Sequence, residues 1–370
     1  MLDSFLKDLS ELVNLDCGTA NAAGVTRAAE IMKRHYDSIG FHTELVDLGP
    51  EVGKGLFATN RPGAEHYDIL FNAHLDTVFP DGTAAARPMS REGNEVHGPG
   101  CSDCKSGVLA IFYAIRAARP EDLKRLSIAV CCNPDEETSS THSTAWIESI
   151  ARKSTRALVC EAARPNGALV RSRKGSGTYF VTFHGRSAHA GNNPKAGRSA
   201  VMAACRFCLE VVKLQDPDGK GTTVNVGTIT GGSASNVIPD TCRVAIDTRC
   251  WRDEDGDEID RGLKELAARS WGEDITAELV CQARIPAMPF TESTKELAGL
   301  ITKAAEMAGF TASWVDAGGA SDACHIARAG IPVLDGVGPA GGNFHSDKEF
   351  LLVDTIENRT AMITKFLTLI

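Results

Sequence analysis

The sequence predicts an α/β protein in which a mixed central sheet is flanked by helices and a second, ferredoxin-like α+β domain is inserted into the chain. Hydrophobic runs at 67–73, 126–132 and 157–160 contain few polar positions, which is typical of strands buried on both faces of a parallel sheet. From about 175 to 285 the predicted elements follow the order β-α-β-β-α-β, which is the ferredoxin-like arrangement. We therefore expect one domain of 1–174 with 286–370 and an inserted domain of 175–285.

The elements are predicted from hydrophobic periodicity, and Gly40 is a natural end for the second helix. The predicted helices are 2–14, 23–40, 105–118, 196–214, 256–270, 292–308 and 353–369. The predicted strands are 42–48, 55–59, the three hydrophobic runs, one that opens at Gly175, and 222–230, 241–249, 274–282 and 331–334. The strand that opens at Gly175 shows mixed alternation, with apolar residues at Tyr179, Val181 and Phe183.

The bulk composition excludes several classes of protein. The chain has 370 residues, enough for two domains, and its net charge of −9 without any basic stripe argues against a nucleic-acid partner. No run approaches the roughly 20 apolar residues that cross a bilayer, so no membrane association is expected. The 12 scattered cysteines are typical of a reducing compartment, and no signal-peptide pattern is evident, so the sequence predicts a cytoplasmic protein.

Three of the predicted buried strands end in ionisable side chains. His74 ends the first, Glu136 and Glu137 follow the second, and Glu161 ends the third. Ligands of open α/β sheets gather at the carboxyl ends of the strands, so these side chains are expected to converge. Taken singly, each has an ordinary alternative: a core histidine, a solvated acidic turn or a surface glutamate.

Two glycine-rich segments add further candidates. Asp103 lies within 98–107, and His345 lies within 341–346. Glycine lets the backbone approach a site closely. Asp103 is equally suited to capping the helix that follows it, and His345 to an ordinary loop. Imidazole nitrogens and carboxylate oxygens suit Zn²⁺, and two ions about 3.5–4 Å apart would share one carboxylate.

The whole set resembles the di-zinc aminoacylase, acetylornithine deacetylase and glutamate carboxypeptidase family of metallopeptidases. The matches run in order from His74 to His345 over nearly the whole chain. The segments 247–249, 318–323 and 344–347 resemble the bacterial glutamate carboxypeptidases most. The resemblance implies a zinc-peptidase-like catalytic domain and an inserted dimerisation or lid domain.

The resemblance also implies a ligand set for two zinc ions per chain, with cobalt or manganese as open alternatives. Asp103 would bridge the ions, His74 and Glu161 would complete one position, and Glu137 and His345 the other. The peptide bond after the bridging aspartate is expected to be cis, as is usual in that family.

Further roles follow from the same resemblance. Glu136 would be the general base, and Asp76 would orient His74. His189 would reach into the active site of a partner subunit and polarise the scissile carbonyl, which implies a homodimer formed through the inserted domain.

Three more residues match substrate-binding positions of the family. Asn236 and Arg249 would hold the substrate's carboxylate or oxyanion, and Arg284 matches a carboxylate-binding arginine. An arginine guanidinium suits two-point binding of a carboxylate, although a surface ion pair is an equal alternative for both arginines.

The expected activity is metal-dependent hydrolysis of an amide bond adjacent to a free carboxylate. The leading hypothesis is a carboxypeptidase that releases a C-terminal glutamate or a similar amino acid from a peptide. An N-acyl-amino-acid deacylase of the acetylornithine deacetylase kind, a dipeptidase and a catalytically dead binding or scaffold homologue remain alternatives. The sequence departs from the family at Ser106, Ser139 and Cys104, close to the proposed ligands, so the exact substrate is left open.

Overall fold

The computed structural model describes all 370 residues and separates into two compact units. Unit 1 contains Met1–Ser172, Phe290–Ala317 and Ser321–Ile370, and unit 2 contains Arg173–Pro289 and Gly318–Ala320. Unit 1 has a mixed central sheet with helices, and unit 2 has an antiparallel sheet with two long helices. The predicted α/β class with an inserted α+β part is therefore confirmed.

The first part of unit 1 alternates helices and strands. In chain order its elements are α1 (Leu2–Val13), α2 (Ala22–Ser38), β1 (His42–Val46), β2 (Gly55–Thr59), β3 (Ile69–His74), α3 (Thr83–Ala86), β4 (Ser90–Glu92), β5 (Glu95–His97), α4 (Ser106–Arg116), α5 (Pro120–Arg125), β6 (Ile128–Asn133), α6 (Thr144–Ala151), β7 (Ala157–Val159) and β8 (Leu169–Arg173). α1 is amphipathic and buries Phe5, Leu9 and Leu12. α4 is buried along almost its whole length, which explains its continuous apolar sequence.

Unit 2 has the predicted β-α-β-β-α-β order with a short two-stranded ribbon added. Its elements are β9 (Gly175–His184), β10 (Ala188–His189), α7 (Ala200–Val211), β11 (Thr223–Gly231), β12 (Val237–Ile238), β13 (Thr241–Cys250), α8 (Asp253–Ala267) and β14 (Thr276–Ile285). The main sheet has the order β11-β13-β9-β14, all antiparallel. Alternate residues of β9, including Tyr179 and Phe183, are buried in one core with Phe207 of α7.

The chain then returns to unit 1. The returning elements are α9 (Glu292–Met307), β15 (Trp314–Ala317), α10 (Asp322–Arg328), β16 (Val333–Leu334), β17 (Gly341–Gly342), β18 (Phe350–Leu352) and α11 (Val353–Leu367). The long helices of unit 1 begin and end within about two residues of their predicted bounds, whereas α7 and α8 of unit 2 differ from theirs by three or four residues at each end. Among all helices of the chain, none combines the length and the apolar character needed to cross a membrane.

The central sheet of unit 1 has the order β1-β2-β6-β3-β7-β16. β3 runs parallel to β6 on one side and to β7 on the other, while β1 and β2 are antiparallel. In this register His74 lies opposite Asn133, and Asn72 lies opposite Val159. The carboxyl ends of β3, β6 and β7 therefore meet at one edge of the sheet, which brings their ionisable residues together.

The turn after β6 contains two successive serines in the left-handed conformation. Ser139 has φ 68° and Ser140 has φ 51°. Ser140 is buried, its hydroxyl donates to Asp322, and it accepts a bond from Asn133 at 3.4 Å. Ser139 is exposed, and its N–H donates to the Glu136 carbonyl at 2.8 Å. The backbone at Ser139 thus suits glycine, the residue that the resembling family usually has there.

Replacing Ser139 by glycine is expected to raise the free energy of unfolding by up to about 1 kcal/mol. The left-handed conformation costs an L-residue about 1–2 kcal/mol, and the greater freedom of glycine in the unfolded chain offsets part of that gain. Thermal unfolding of Ser139→Gly in the presence of a chelator should show a midpoint about 2 °C above the wild type.

Ser140→Gly is the matched control for this variant. It relieves the same backbone conformation but removes the buried hydroxyl that contacts Asp322 and Asn133, so its midpoint should fall. A Ser139→Gly midpoint at or below the wild-type value would show that the left-handed serine is not a source of strain.

Candidate metal centre

His74 is the fixed point at the carboxyl end of β3. The side chain is 1% exposed, and Nδ1 lies 3.0 Å from the backbone oxygen of Asp76 and 3.3 Å from its Oδ1. Nε2 therefore points the other way, 3.1 Å from Asp103 Oδ1 and 3.5 Å from Glu161 Oε1. Burial alone would lower the pKa of His74, but the surrounding carboxylates, Glu161 foremost, raise it well above its usual value.

Asp103 lies between two imidazoles. Its Oδ1 contacts His74, and its Oδ2 lies 3.2 Å from His345 Nε2. Burial works to raise the pKa of Asp103, but the two histidines lower it below its usual range. The peptide bond to Cys104 is cis, as expected. Asp103 does not act as a helix cap, because its carboxylate faces the histidines.

The turn that contains Asp103 depends on one glycine. Gly100 has φ 70°, and a Cβ atom there would lie 2.6 Å from Thr77 Cγ2 and 3.0 Å from the Asp103 carbonyl oxygen. Neither the backbone conformation nor the space suits any other residue. The close approach that the glycine-rich segment predicted is therefore found at this position.

Glu137 and His345 form the second half of the cluster. His345 Nε2 lies 3.1 Å from Glu137 Oε2. Hydrogen bonds to the Asp103 and Glu137 carboxylates raise the pKa of His345 to about 10. Burial raises the pKa of Glu137, although His345 opposes it. The Asp103 carboxylate thus connects two halves of the cluster: the His74 side, with Glu161, and the His345 side, with Glu137.

Glu161 and Cys104 complete the His74 side. Glu161 is 7% exposed, its Oε1 has no hydrogen-bond donor, and burial raises its pKa to about 7. The Cys104 thiol donates to the Cys160 carbonyl at 3.2 Å, and its sulfur lies within 4.8 Å of the facing atoms of His74 and Glu161. From the sequence, Cys104 is only a departure from the family beside Asp103, and this contact was not predicted.

Asp76 organises more than the histidine ring. Its Oδ1 accepts the Glu136 N–H at 3.1 Å, and its Oδ2 accepts the Glu137 N–H at 3.2 Å and the Thr19 hydroxyl at 2.6 Å. Asp76 therefore fixes the turn that carries both glutamates as well as the orientation of His74. Burial raises the pKa of the Glu136 carboxyl well above its usual value.

Ser106, where the sequence departs from the family, lies next to a glycine that the packing requires. A Cβ atom at Gly107 would lie 1.7 Å from the Cys160 carbonyl oxygen, so the start of α4 packs directly on the chain after β7. Ser106 is buried in the first turn of α4, and its hydroxyl donates to the Ser102 carbonyl at 3.4 Å. The serine changes no candidate ligand.

The donors present fit divalent transition-metal ions. Two imidazole nitrogens and several carboxylate oxygens form the kind of ligand set that such ions prefer. His74, Asp103 and Glu137 present ligand atoms within 4.8 Å of one another. Glu161 Oε1 is buried, and its one contact with a cationic group, His74 Nε2 at 3.5 Å, does not meet hydrogen-bond geometry, so this oxygen remains suited to a cation.

Sequence reasoning missed two buried carboxylates beside the cluster. Asp322 accepts bonds from Asn133 Nδ2 at 2.6 Å and from the Ser140 hydroxyl, and burial raises its pKa to about 7. Glu349 accepts three backbone N–H bonds from the turn of Asp103. The segment around Asp322 entered only through the family resemblance, and Glu349 had no sequence signal.

Unit 2 holds the other predicted site residues. His189 pairs with Val237 across the β10–β12 ribbon, and the Ala190 N–H donates to the carbonyl of Asn236, the residue just before β12, at 2.9 Å. His189 Nδ1 accepts the N–H groups of Gly191 and Asn192 at 3.2 and 3.1 Å. Its acceptor role leaves Nε2 as the protonated nitrogen of the neutral ring.

The two arginines flank the first residues of β9. Arg249 lies opposite Ser176, and its guanidinium makes two 2.9 Å bonds to Asp247. Arg284 lies opposite Gly177 and forms a 2.7 Å ion pair with an exposed carboxylate, that of Asp257. Each of the two arginines thus has a carboxylate partner within unit 2.

Comparison with known proteins gives a consistent family. The model of peptidase family M20/M25/M40 matches residues 70–369. Carboxypeptidase G2 of Pseudomonas sp. (strain RS-16) is 28% identical over 370 residues, which cover 98% of this chain and 88% of that protein. A succinyl-diaminopimelate desuccinylase of Cereibacter sphaeroides is 30% identical over 360 residues, which cover 92% of both proteins.

Solved structures show the same fold. Aminopeptidase PepT from Bacillus cereus ATCC 10987 has a TM-score of 0.79 at 23% identity, with 99% of both chains covered. The M20 family metallo-carboxypeptidase Sso-CP2 from Sulfolobus solfataricus has a TM-score of 0.75 at 15% identity, again with 99% of both chains covered. The chain therefore belongs to peptidase family M20/M25/M40, a family of metal-dependent hydrolases.

Proposed function

We propose that this protein uses two zinc ions to hydrolyse an amide bond next to a free carboxylate, and that it releases a C-terminal glutamate or a similar amino acid. The observation that carries the proposal is the contact of five donor side chains from five separate segments, with Asp103 between the two histidines. The similarity to carboxypeptidase G2 over 98% of the chain supports the choice of a carboxypeptidase.

The residues divide between two ion positions. His74 and Glu161 would hold one ion, Glu137 and His345 would hold the other, and Asp103 would bridge them. Ions bound there would supply Lewis-acid stabilisation of the carbonyl oxygen and would make a water molecule more acidic. The three carboxylates of this set would then be neutralised by the cations, which relieves their mutual repulsion.

Glu136 is the proposed proton carrier. Asp76 accepts the backbone N–H groups of both Glu136 and Glu137, and the Glu136 carboxyl lies close enough to His74 and Glu161 to interact with them electrostatically. Glu137 would serve as a ligand, which leaves Glu136 available for proton transfer. As general base it would take a proton from the attacking water and pass it to the leaving nitrogen.

The proposed substrate contacts come from unit 2. The protonated Nε2 of His189 would donate a hydrogen bond to the scissile carbonyl oxygen, which gains negative charge in the transition state. Arg249 and Arg284 would bind the substrate's free carboxylate, each in exchange for part of its present ion pair. Asn236, just before β12 of the ribbon, would add a neutral donor.

Removal of an N-acyl group from an amino acid is the second candidate. The desuccinylase relatives, 30% identical over 92% of the chain, favour it. Both reactions release an amino acid that carries a free carboxylate, so they differ in the acyl group that the protein recognises, a peptide in one case and a simple acyl group in the other. A dipeptidase activity would use the same centre.

A substrate panel with the zinc-loaded protein tests the proposed function. N-acyl dipeptides ending in glutamate, N-succinyl and N-acetyl amino acids and free dipeptides should be compared by the amine released. We expect the glutamate-ending compounds to have the highest kcat/KM, and their C-terminal carboxamides to be cleaved at least tenfold more slowly because a charge-assisted bond to arginine is lost. Faster cleavage of the carboxamides would contradict carboxylate recognition.

Two variants separate metal binding from catalysis in the same assay. Asp103→Ala should lose both bound zinc and activity, because the shared ligand is removed. Glu136→Gln should keep about two zinc ions per chain and lose about 10²–10⁴-fold in kcat, since only the proton carrier is changed. Asp316→Asn, which alters an exposed ion pair with Arg171, should keep metal and activity. A fully active Glu136→Gln protein would overturn the proposed mechanism.

We further propose that the protein is a homodimer formed through unit 2. Met202, Cys205 and Leu209 are exposed on α7 at spacings of three and four residues, so they form one apolar stripe. β11 is an edge strand of the unit 2 sheet, with Ile229 exposed. A second copy of the same surface would cover both the stripe and the edge.

Leu209→Glu is expected to convert the dimer into a monomer of 39.4 kDa, measured by light scattering after gel filtration. A buried charge in the middle of the apolar stripe would oppose association. Met307→Glu, at an exposed apolar residue of unit 1, is the control and should leave the mass unchanged. A wild-type protein that is monomeric and fully active would contradict the dimer and the partner-subunit role of His189.

A further inference from the structure

Glu349 is a buried carboxylate whose three hydrogen-bond donors are all backbone N–H groups. Oε1 accepts from Ser102 and Asp103, and Oε2 accepts from Gly100, each at 2.9 Å. Glu349 is 1% exposed. Successive N–H groups that converge in this way form an anion-binding concavity, and here the anion is supplied by the protein itself.

The concavity is the turn that carries the proposed bridging ligand. One of the three donors is the N–H of Asp103, so the carboxylate of Glu349 fixes the backbone from which the Asp103 side chain extends. The direction of that side chain matters, because its two oxygens contact two different histidines, His74 and His345. A small rotation of the turn would move both oxygens at once.

Glu349 also belongs to the segment that carries His345. Its N–H donates to the Ser346 carbonyl at 3.4 Å, and its carbonyl oxygen lies 3.2 Å from His97 Nδ1, at the end of β5. The next residue, Phe350, pairs with His97 in the small sheet. One side chain therefore connects the His345 segment to the Asp103 turn.

This arrangement has an electrostatic cost that indicates a role beyond simple packing. A buried carboxylate is held close to the Asp103 carboxylate, and like charges repel more strongly in a protein interior than in water. A neutral side chain would avoid the repulsion, but only a carboxylate offers acceptors to all three N–H groups at once.

We propose that Glu349 is a positioning residue that aims Asp103 at both ion positions and thereby sets the affinity of the centre for its metal ions. The proposal rests on the metal centre proposed above. Glu349 itself contacts no ion position. Its effect is exerted through the backbone of the turn and through the shared link to the His345 segment.

Zinc binding to the folded apo-protein tests the proposal directly. Competition with a chromogenic chelator should show that Glu349→Gln binds zinc about 10–100-fold more weakly than the wild type. The reason is that the side-chain NH₂ of glutamine would face a backbone N–H group of the turn, and two donors cannot form a hydrogen bond. Glu349→Asp keeps the carboxylate on a side chain shorter by one methylene, so its zinc affinity should lie between those of the wild type and Glu349→Gln. In turnover assays kcat should fall more than KM rises.

The matched control is Glu148→Gln. Glu148 is another buried carboxylate of unit 1, held by Arg152 and Arg328 rather than by the turn of Asp103. We expect this variant to lose thermal stability but to bind zinc with wild-type affinity, which separates a general structural effect from positioning.

The outcomes distinguish the two proposals. Wild-type zinc affinity in folded Glu349→Gln or, if that variant does not fold, in Glu349→Asp would overturn the positioning role. Equal weakening in Glu148→Gln would also overturn it. Absence of zinc binding in the wild type would instead contradict the metal centre itself.

Discussion

The crowding of carboxylates at one buried edge of a sheet is the constraint on which the rest of this structure depends. Glu137 and Glu161 follow β6 and β7, the two strands on either side of β3, and Asp103 faces His74 at the end of β3. The imidazoles of His74 and His345 are the basic side chains that contact these carboxylates. Burial raises the pKa of both glutamates, and the neighbouring histidines only partly oppose it. Bound cations would supply the missing positive charge, so the electrostatics and the family membership lead to the same chemistry.

The geometry of the centre is maintained by carboxylates that bind backbone rather than metal. Asp76 receives the N–H groups of Glu136 and Glu137, and Glu349 receives those of the Asp103 turn. Each of these side chains holds a loop that a strand end alone would leave free to move. Catalytic sites require ligands placed to within fractions of an ångström, and such supporting contacts are the usual means.

The sequence predicted those features that follow from local pattern. Continuous apolar runs predicted β3, β6 and β7, and the parallel register then made the convergence of His74, Glu137 and Glu161 a matter of sheet geometry. The role of Glu349 could not be predicted, because it accepts N–H groups of residues about 250 positions earlier and backbone donors leave no sequence signature. The same holds for Cys104, whose position became evident only when its turn was seen beside Glu161. Short elements such as α5 and β17 were also missed, since they contain too few residues to show a period.

Anomalous X-ray scattering from crystals of the zinc-loaded protein tests the central claim most directly. The account predicts two peaks at the zinc edge about 3.5–4 Å apart, with the Asp103 carboxylate between them. His74 and Glu161 should flank one peak, and Glu137 and His345 the other. Zinc peaks located away from Asp103, with these five side chains still in contact, would contradict a two-zinc centre bridged by Asp103.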